Sequence, residues 1–118
     1  MTTLTELKAL LDEAQGLEKE IDRLLYSLEC GEVLHPDDFE LFWEHRRFHY
    51  TSSIDAALAL VGRKLPGWSI AIEKGRERSA CRIRQDIGAE PYECTAPTPA
   101  LAILKALVAA LIEQENGE

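Results

Sequence analysis

The sequence predicts an α+β protein whose three-stranded antiparallel sheet lies in an α/β/α layered sandwich. Apolar residues recur at helical spacing over residues 52–65, ahead of a Pro66-Gly67 turn. Apolar and polar residues then alternate over 68–73 and 78–84, as in strands that bury one face, and a short third strand follows over 92–96. An apolar helix begins at Pro99 and ends near Gln114. These elements form an α-β-β-β-α core, preceded by an N-terminal helix over 4–28.

The first core helix carries clear start and stop signals. Ser52 is its expected N-cap, and Asp55 three residues later completes a capping box. Pro66 and Gly67 end the helix. Its buried face is predicted to comprise Ile54, Ala57, Leu58, Val61 and Leu65.

The last helix has Thr98 as its expected N-cap and Pro99 at its first position. Because it is apolar nearly all round, we expect it to be buried on more than one side. Leu58 and Leu104 are both predicted core residues.

The element order is also that of the double-stranded RNA-binding domain, but that family binds phosphates with lysines at the start of its last helix. The uncharged start of this helix argues against that function.

Leucines at three- and four-residue spacing over 4–28 predict a helix that packs on the core or on a second copy of the chain. Gly16 lies in the middle of this segment, where glycine costs about 1 kcal/mol relative to alanine. The segment is therefore one helix or two. Residues 1–49, an N-terminal helix and a variable insert, and residues 50–118, the core, are expected to form one compact domain.

The insert over 29–49 concentrates aromatic and histidine side chains. Phe39, Phe42 and Trp43 share one face of a short predicted helix, and His45 and His49 have the i, i+4 spacing that can bind zinc. The complete spacing, with Cys30 and His35 upstream, matches no established zinc pattern, so we expect no bound metal and no cofactor. These side chains join the basic second strand in a candidate interaction surface: Phe39, Phe42, Trp43, His45, Arg78, Arg82 and Arg84.

Cysteines and apolar segments indicate where the protein resides. An odd number of cysteines, with no secretion signal expected at the N-terminus, predicts reduced thiols in a bacterial cytoplasm. Cys81 and Cys94 occupy apolar strand positions, which predicts buried, unreactive thiols. The longest apolar run, Ala106 to Ile112, is too short to span a bilayer, so we expect a soluble protein with no membrane partner.

Charge is distributed unevenly along the chain. The net charge is −8, but residues 1–45 carry twelve acidic and three basic side chains, whereas residues 62–84 carry seven basic and two acidic ones. The acidic total makes nucleic acid an unlikely partner, because long-range repulsion opposes phosphate. We therefore expect the acidic helix over 4–28, from the same chain or a dimer mate, to lie over Arg78, Arg82 and Arg84.

Two segments resemble a known family. The sequence from Tyr50 to Val61, YTSSIDAALALV, and the following Pro66-Gly67-Trp68 look like the signature of the phage ABA-sandwich domain family, small bacteriophage and prophage proteins. The start of the last helix, Pro97 to Ala102, is similar as well. The resemblance implies a layered α/β/α domain of phage origin, and it implies no reaction and no catalytic residues.

The sequence also lacks the motifs of common enzymes. It has no P-loop, no glycine-rich dinucleotide turn, no HExxH and no nucleophile elbow. We expect a non-enzymatic phage or prophage accessory protein that acts through protein–protein contact as a homodimer. An alternative is an inhibitor of a host defence system that mimics nucleic acid with its carboxylates. A weaker alternative is a nucleic-acid-binding module that uses the basic second strand.

Overall fold

The predicted α+β class is confirmed by a computed structural model, which describes residues 2–14, 19–30, 50–85 and 90–116. Helices pack on a three-stranded antiparallel sheet. The elements are α1 (Thr2–Glu13), α2 (Lys19–Cys30), α3 (Ile54–Lys64), β1 (Ser69–Lys74), β2 (Ser79–Arg84), β3 (Tyr92–Ala96) and α4 (Pro99–Asn116).

Helix α4 lies at the centre of the molecule. Between Ala100 and Ala110 every residue is buried except Lys105 and Ala109, which are half-buried. The sheet packs on one side of α4, and α1 and α3 pack on others. The helix begins as predicted, since the Thr98 hydroxyl oxygen accepts a hydrogen bond from the N–H of Leu101 at 3.2 Å. An all-round apolar sequence is therefore matched by all-round burial.

The sheet has the strand order β1-β2-β3, and its register places each row of side chains on one face. Cys81 at the centre of β2 lies opposite Ile72 of β1 and Cys94 of β3. This covered face also includes Ile70 and Ile83, and α4 packs on it. Helix α4 covers β2 and β3 far more than β1. As a result β2 is buried at alternate positions, while β1 is mostly exposed.

The hairpin between β1 and β2 depends on a glycine. The N–H of Gly75 donates to the carbonyl of Arg78 at 2.9 Å, closing a tight turn. A Cβ atom at position 75 would lie only 2.5 Å from that same oxygen. Glycine permits this close approach of two backbone segments, which fixes the register of the hairpin.

Helix α3 differs from the prediction in its cap and in its buried face. Its N-cap is Ser53 and not Ser52, since the Ser53 hydroxyl accepts from the N–H of Ala56 at 3.2 Å. Ile54, predicted to be buried, is 41% exposed, and Leu58 is half-buried. Both sides of this helix carry apolar residues, so periodicity alone does not select the face that packs. The buried residues are Ala56, Ala57, Leu60 and Val61.

The N-terminal segment forms two helices, which settles the alternative left open at Gly16. The leucines of α1 pack in the core of their own chain, where Leu4, Leu7 and Leu11 are buried. Helix α2 is tied to the segment before α3 by a buried carboxylate: Asp22 is fully buried and accepts from the backbone N–H of Thr51 at 2.8 Å. A hydrogen bond to a charged group contributes more than a neutral one, about 1.5–3 kcal/mol.

Replacing Leu104 by alanine should lower the free energy of unfolding by ~2–5 kcal/mol, because it removes a fully buried side chain and leaves a cavity at the centre of the fold. Leu58→Ala should cost less, under ~2 kcal/mol, because Leu58 is half-buried. Urea unfolding measures both, with Glu113→Ala on an exposed turn of α4 as the control. Equal losses at positions 58 and 104 would contradict this packing of α3 and α4.

Candidate interaction surface on the sheet

The two faces of the sheet differ in what covers them. The face opposite α4, which we call the open face, is formed by side chains from all three strands and from the turn before β2. Most of these side chains are exposed, whereas Ala80 and Arg84 are half-buried. The open face comprises Ser69, Ala71, Glu73, Arg78, Ala80, Arg82, Arg84, Glu93 and Thr95.

The arginines predicted as an interaction surface lie together on the open face, but their partners differ from those expected. Arg82 Nη2 lies 2.8 Å from a carboxylate oxygen of Glu93 directly opposite it on β3. Arg78 Nη2 donates to the hydroxyl of Thr95 at 3.5 Å. Both side chains of the Arg82–Glu93 pair are 51% exposed, so the pair contributes under ~1 kcal/mol to stability.

Within one chain, the expectation that the acidic N-terminal helix covers these arginines is wrong for α1, while cover by the helix of a dimer mate stays a prediction. This helix packs on α4, and its Asp12 lies 3.5 Å from the Nζ of Lys105. Residues of α1 also line a small cavity of about 60 Å³ together with Cys94, which places α1 on the covered side of the sheet. The apolar face of α1 determines where it docks, and α4 offers a larger apolar surface than the open face does.

Arg84 has a buried donor without a hydrogen-bond partner among the described residues. Its side chain is half-buried, and the donor is the Nε atom. Its position on β2 is directly opposite Ser69 of β1.

Two shallow depressions lie on the open face. One, of about 210 Å³, is lined by Ser69, Ala71 and the two arginines of β2. The other, of about 260 Å³, extends from Ala71 and Ala80 toward Glu93. Each depression forms where a short alanine side chain lies between longer charged side chains. Depressions of this shape suit side chains of another macromolecule better than an enclosed small ligand.

Cys81 and Cys94 are free thiols directly opposite each other on the covered face. Burial, together with the smaller effect of the neighbouring Cys94, raises the pKa of Cys81 to about 11. Burial also raises the pKa of Cys94. Full burial of Cys81 confirms its predicted place in the core, while Cys94 is half-buried beside it. Both therefore remain protonated at neutral pH.

Several predicted site residues lie outside the described part of the chain. These are Phe39, Phe42, Trp43 and His45, along with His35 and His49. Within the described ranges, no group of three or more histidine, cysteine or acidic side chains is placed to hold a metal ion. Sequence analysis missed the roles of Glu93 and Thr95, because the β2–β3 register that brings them to the arginines is not encoded locally.

The thiol of Cys81 should resist alkylation in the folded protein. With a pKa of about 11, roughly one thiol in a thousand is ionised at pH 8, and only the thiolate is an effective nucleophile. Iodoacetamide labelling of a Cys30→Ser variant, followed by peptide mass spectrometry, measures this against the same variant in urea. Equal labelling rates in the two states would contradict the described burial.

The same shift has a consequence for stability. The pKa of Cys81 is higher in the folded chain than the ordinary value of 9.0. The contribution of this thiol to the free energy of unfolding is therefore fully present below pH 9 and is lost as pH rises toward 11. A Cys81→Ala variant should lose less stability than the parent over that interval.

No family model, curated protein or solved structure matches the chain. Within the described ranges, none of the helices combines the length and apolar character needed to cross a membrane. The open face and the strand edges that border it are the surfaces of the described residues that could bind a partner.

Proposed function

We propose that the chain is a non-enzymatic accessory protein of a bacteriophage or prophage that acts through protein–protein contact at the open face. The observation that carries this proposal is the set of three arginines on a largely exposed sheet face, with the small side chains of Ala71 and Ala80 beside the central Arg82. The phage origin is supported by the resemblance of residues 50–68 to the phage ABA-sandwich domain family.

The chemistry of the open face favours a protein partner. Arginine is enriched at protein interfaces because its planar guanidinium binds carboxylates and carbonyls and its stem packs on apolar surface. Arg82 uses Nη2 toward Glu93, so other donors of its guanidinium are available for a partner. Glu73 and Glu93 add negative charge to the same face. A surface that carries both positive and negative charges can pair with a protein surface that also carries both. The small alanine side chains allow such a partner to approach closely.

Nucleic-acid binding is the second candidate, and the same three arginines favour it. Two features weigh against it. The net charge of −8 repels phosphate at long range, and the Glu73 and Glu93 carboxylates lie among the arginines that would have to contact it. Inhibition of a host defence enzyme by mimicry of nucleic acid would use the acidic side chains of the chain in place of these arginines. Capture of a host nuclease as the partner would distinguish it from an accessory role.

A photo-crosslinking amino acid at position 80 should capture a discrete partner protein, because Ala80 lies on the middle strand of the open face. The experiment is done in cells of the bacterium that carries the gene, with the same amino acid at exposed position 113 as the control. We expect an adduct from position 80 alone, with a mass that differs from a dimer of the chain. Arg82→Glu in the position-80 variant should abolish it. Identical adducts from both positions would contradict the proposal.

Duplex DNA and RNA should give no gel shift at about 0.1 M salt, where the screening length is about 10 Å. The reason is that Glu73 and Glu93 offset the arginines locally, as the net charge does at long range. The charge-reversed variant Arg82→Glu, Arg84→Glu is the matched control. A shift by the parent that this variant loses would establish the nucleic-acid candidate in place of the protein contact.

A further inference from the structure

One edge of the sheet, along β1, has no strand partner among the described residues. In the described part of the chain, β1 pairs with β2 alone, so its outer edge presents backbone groups without a strand partner. The hydrogen bond between Gly75 and Arg78 closes the hairpin, and antiparallel alternation from that pair directs the backbone N–H and C=O of Ile70 and Ile72 outward. Edge strands are usually kept from pairing with another chain by a charge, a proline or a bulge, and Ser69 to Ile72 contains none of these.

The opposite edge of the sheet, along β3, is partly protected against pairing with another strand. The Nζ of Lys105 donates to the backbone carbonyl of Thr95 in β3 at 2.9 Å, which occupies an outward acceptor of that strand. On β1, by contrast, the side chain of Ile72 is 39% exposed, one of the two large apolar side chains exposed in the described residues. An edge without a strand partner, uncharged from Ser69 to Ile72 and beside an exposed isoleucine, is a site for strand addition.

We propose that β1 pairs antiparallel with β1 of a second copy, about a two-fold axis through Ala71, so that two chains share one six-stranded sheet. The backbone pairing lies along the outer edge of β1, and of the open face it uses only side chains at that margin, so it does not depend on the function proposed above. In this register Ile70 lies opposite the partner's Ile72, and Ala71 lies opposite the partner's Ala71. The exposed Ile72 is then covered by an apolar side chain from the other copy.

Charge complementarity selects this register. Glu73 lies opposite the partner's Ser69, and Ser69 lies beside Arg84 in the chain's own register. The Glu73 carboxylate therefore approaches the partner's Arg84 across a short side chain. The two-fold axis makes two such pairs, and each gives a carboxylate to the arginine whose Nε has no hydrogen-bond partner among the described residues.

Neighbouring registers are less favourable. Moving the axis to Ile72 sets Ile70 against the partner's Lys74, and moving it to Glu73 sets two carboxylates against each other. Moving the axis to Ile70 sets Glu73 against the partner's Gly67, which lies in a turn with φ +86° and not in a strand. A shift that breaks the alternation places the apolar side chains of one copy on the polar face of the other.

Disulfide trapping tests the axis directly. Ala71 exchanges backbone hydrogen bonds with Arg82, so across the proposed axis it forms a non-hydrogen-bonded pair, with Cα atoms about 4.5 Å apart, which suits a disulfide. An Ala71→Cys variant in a Cys30→Ser background should oxidise almost entirely to a covalent dimer. Ala80→Cys, on the same face but one strand inward, is the control and should remain monomeric on a denaturing gel.

Charge exchange tests the register in the otherwise unaltered chain. By sedimentation, the parent should be a dimer at about 100 μM, and Glu73→Arg or Arg84→Glu should each weaken dimerisation at least tenfold. The double variant, which restores opposite charges across the axis, should recover most of the loss, and a merely unfolded protein would not. A monomeric parent at about 1 mM, a dimer that position 71 fails to trap, or no recovery in the double variant would each overturn the proposal. None of these results affects crosslinking from position 80.

Discussion

The burial of α4 is the constraint on which the rest of the structure depends. Its apolar residues from Ala100 to Ala110 require cover on every side, and no single neighbouring element is large enough to supply it. The sheet covers one side, and α1 and α3 cover others. Because the hydrophobic contribution is proportional to the apolar area removed from water, each element is placed by how well it covers α4.

The same constraint explains why one face and one edge of the sheet are left open. Helix α4 lies over β2 and β3, so β1 is held mainly by its hairpin with β2 and touches the core through half-buried Ile70. The tight turn at Gly75 is then as important to β1 as its packing, because it fixes which residues face outward. Surfaces left over after the core is complete are the ones available for binding.

Much of this fold could be predicted from the sequence, because its elements carry local signals. Alternation located the strands, and the Thr98-Pro99 start located α4. The face of α3 could not be predicted, since apolar residues occur on both sides and the choice depends on what packs against it. The partner of Arg82 could not be predicted either, because Glu93 lies eleven residues away in the sequence and the pairing depends on strand register.

Among the described residues, charged side chains form separate contacts on opposite sides of the sheet. On the covered side, Lys105 lies between Asp12 of α1 and the Thr95 carbonyl of β3, so the charge of α1 helps to orient it on α4. On the open side, Arg82 finds its carboxylate within the sheet. The acidic N-terminal segment and the basic strand therefore need not neutralise each other. Helix α1 docks by its leucines, and Arg78 and Arg82 stay exposed, which is the condition for a sheet face to recognise a partner.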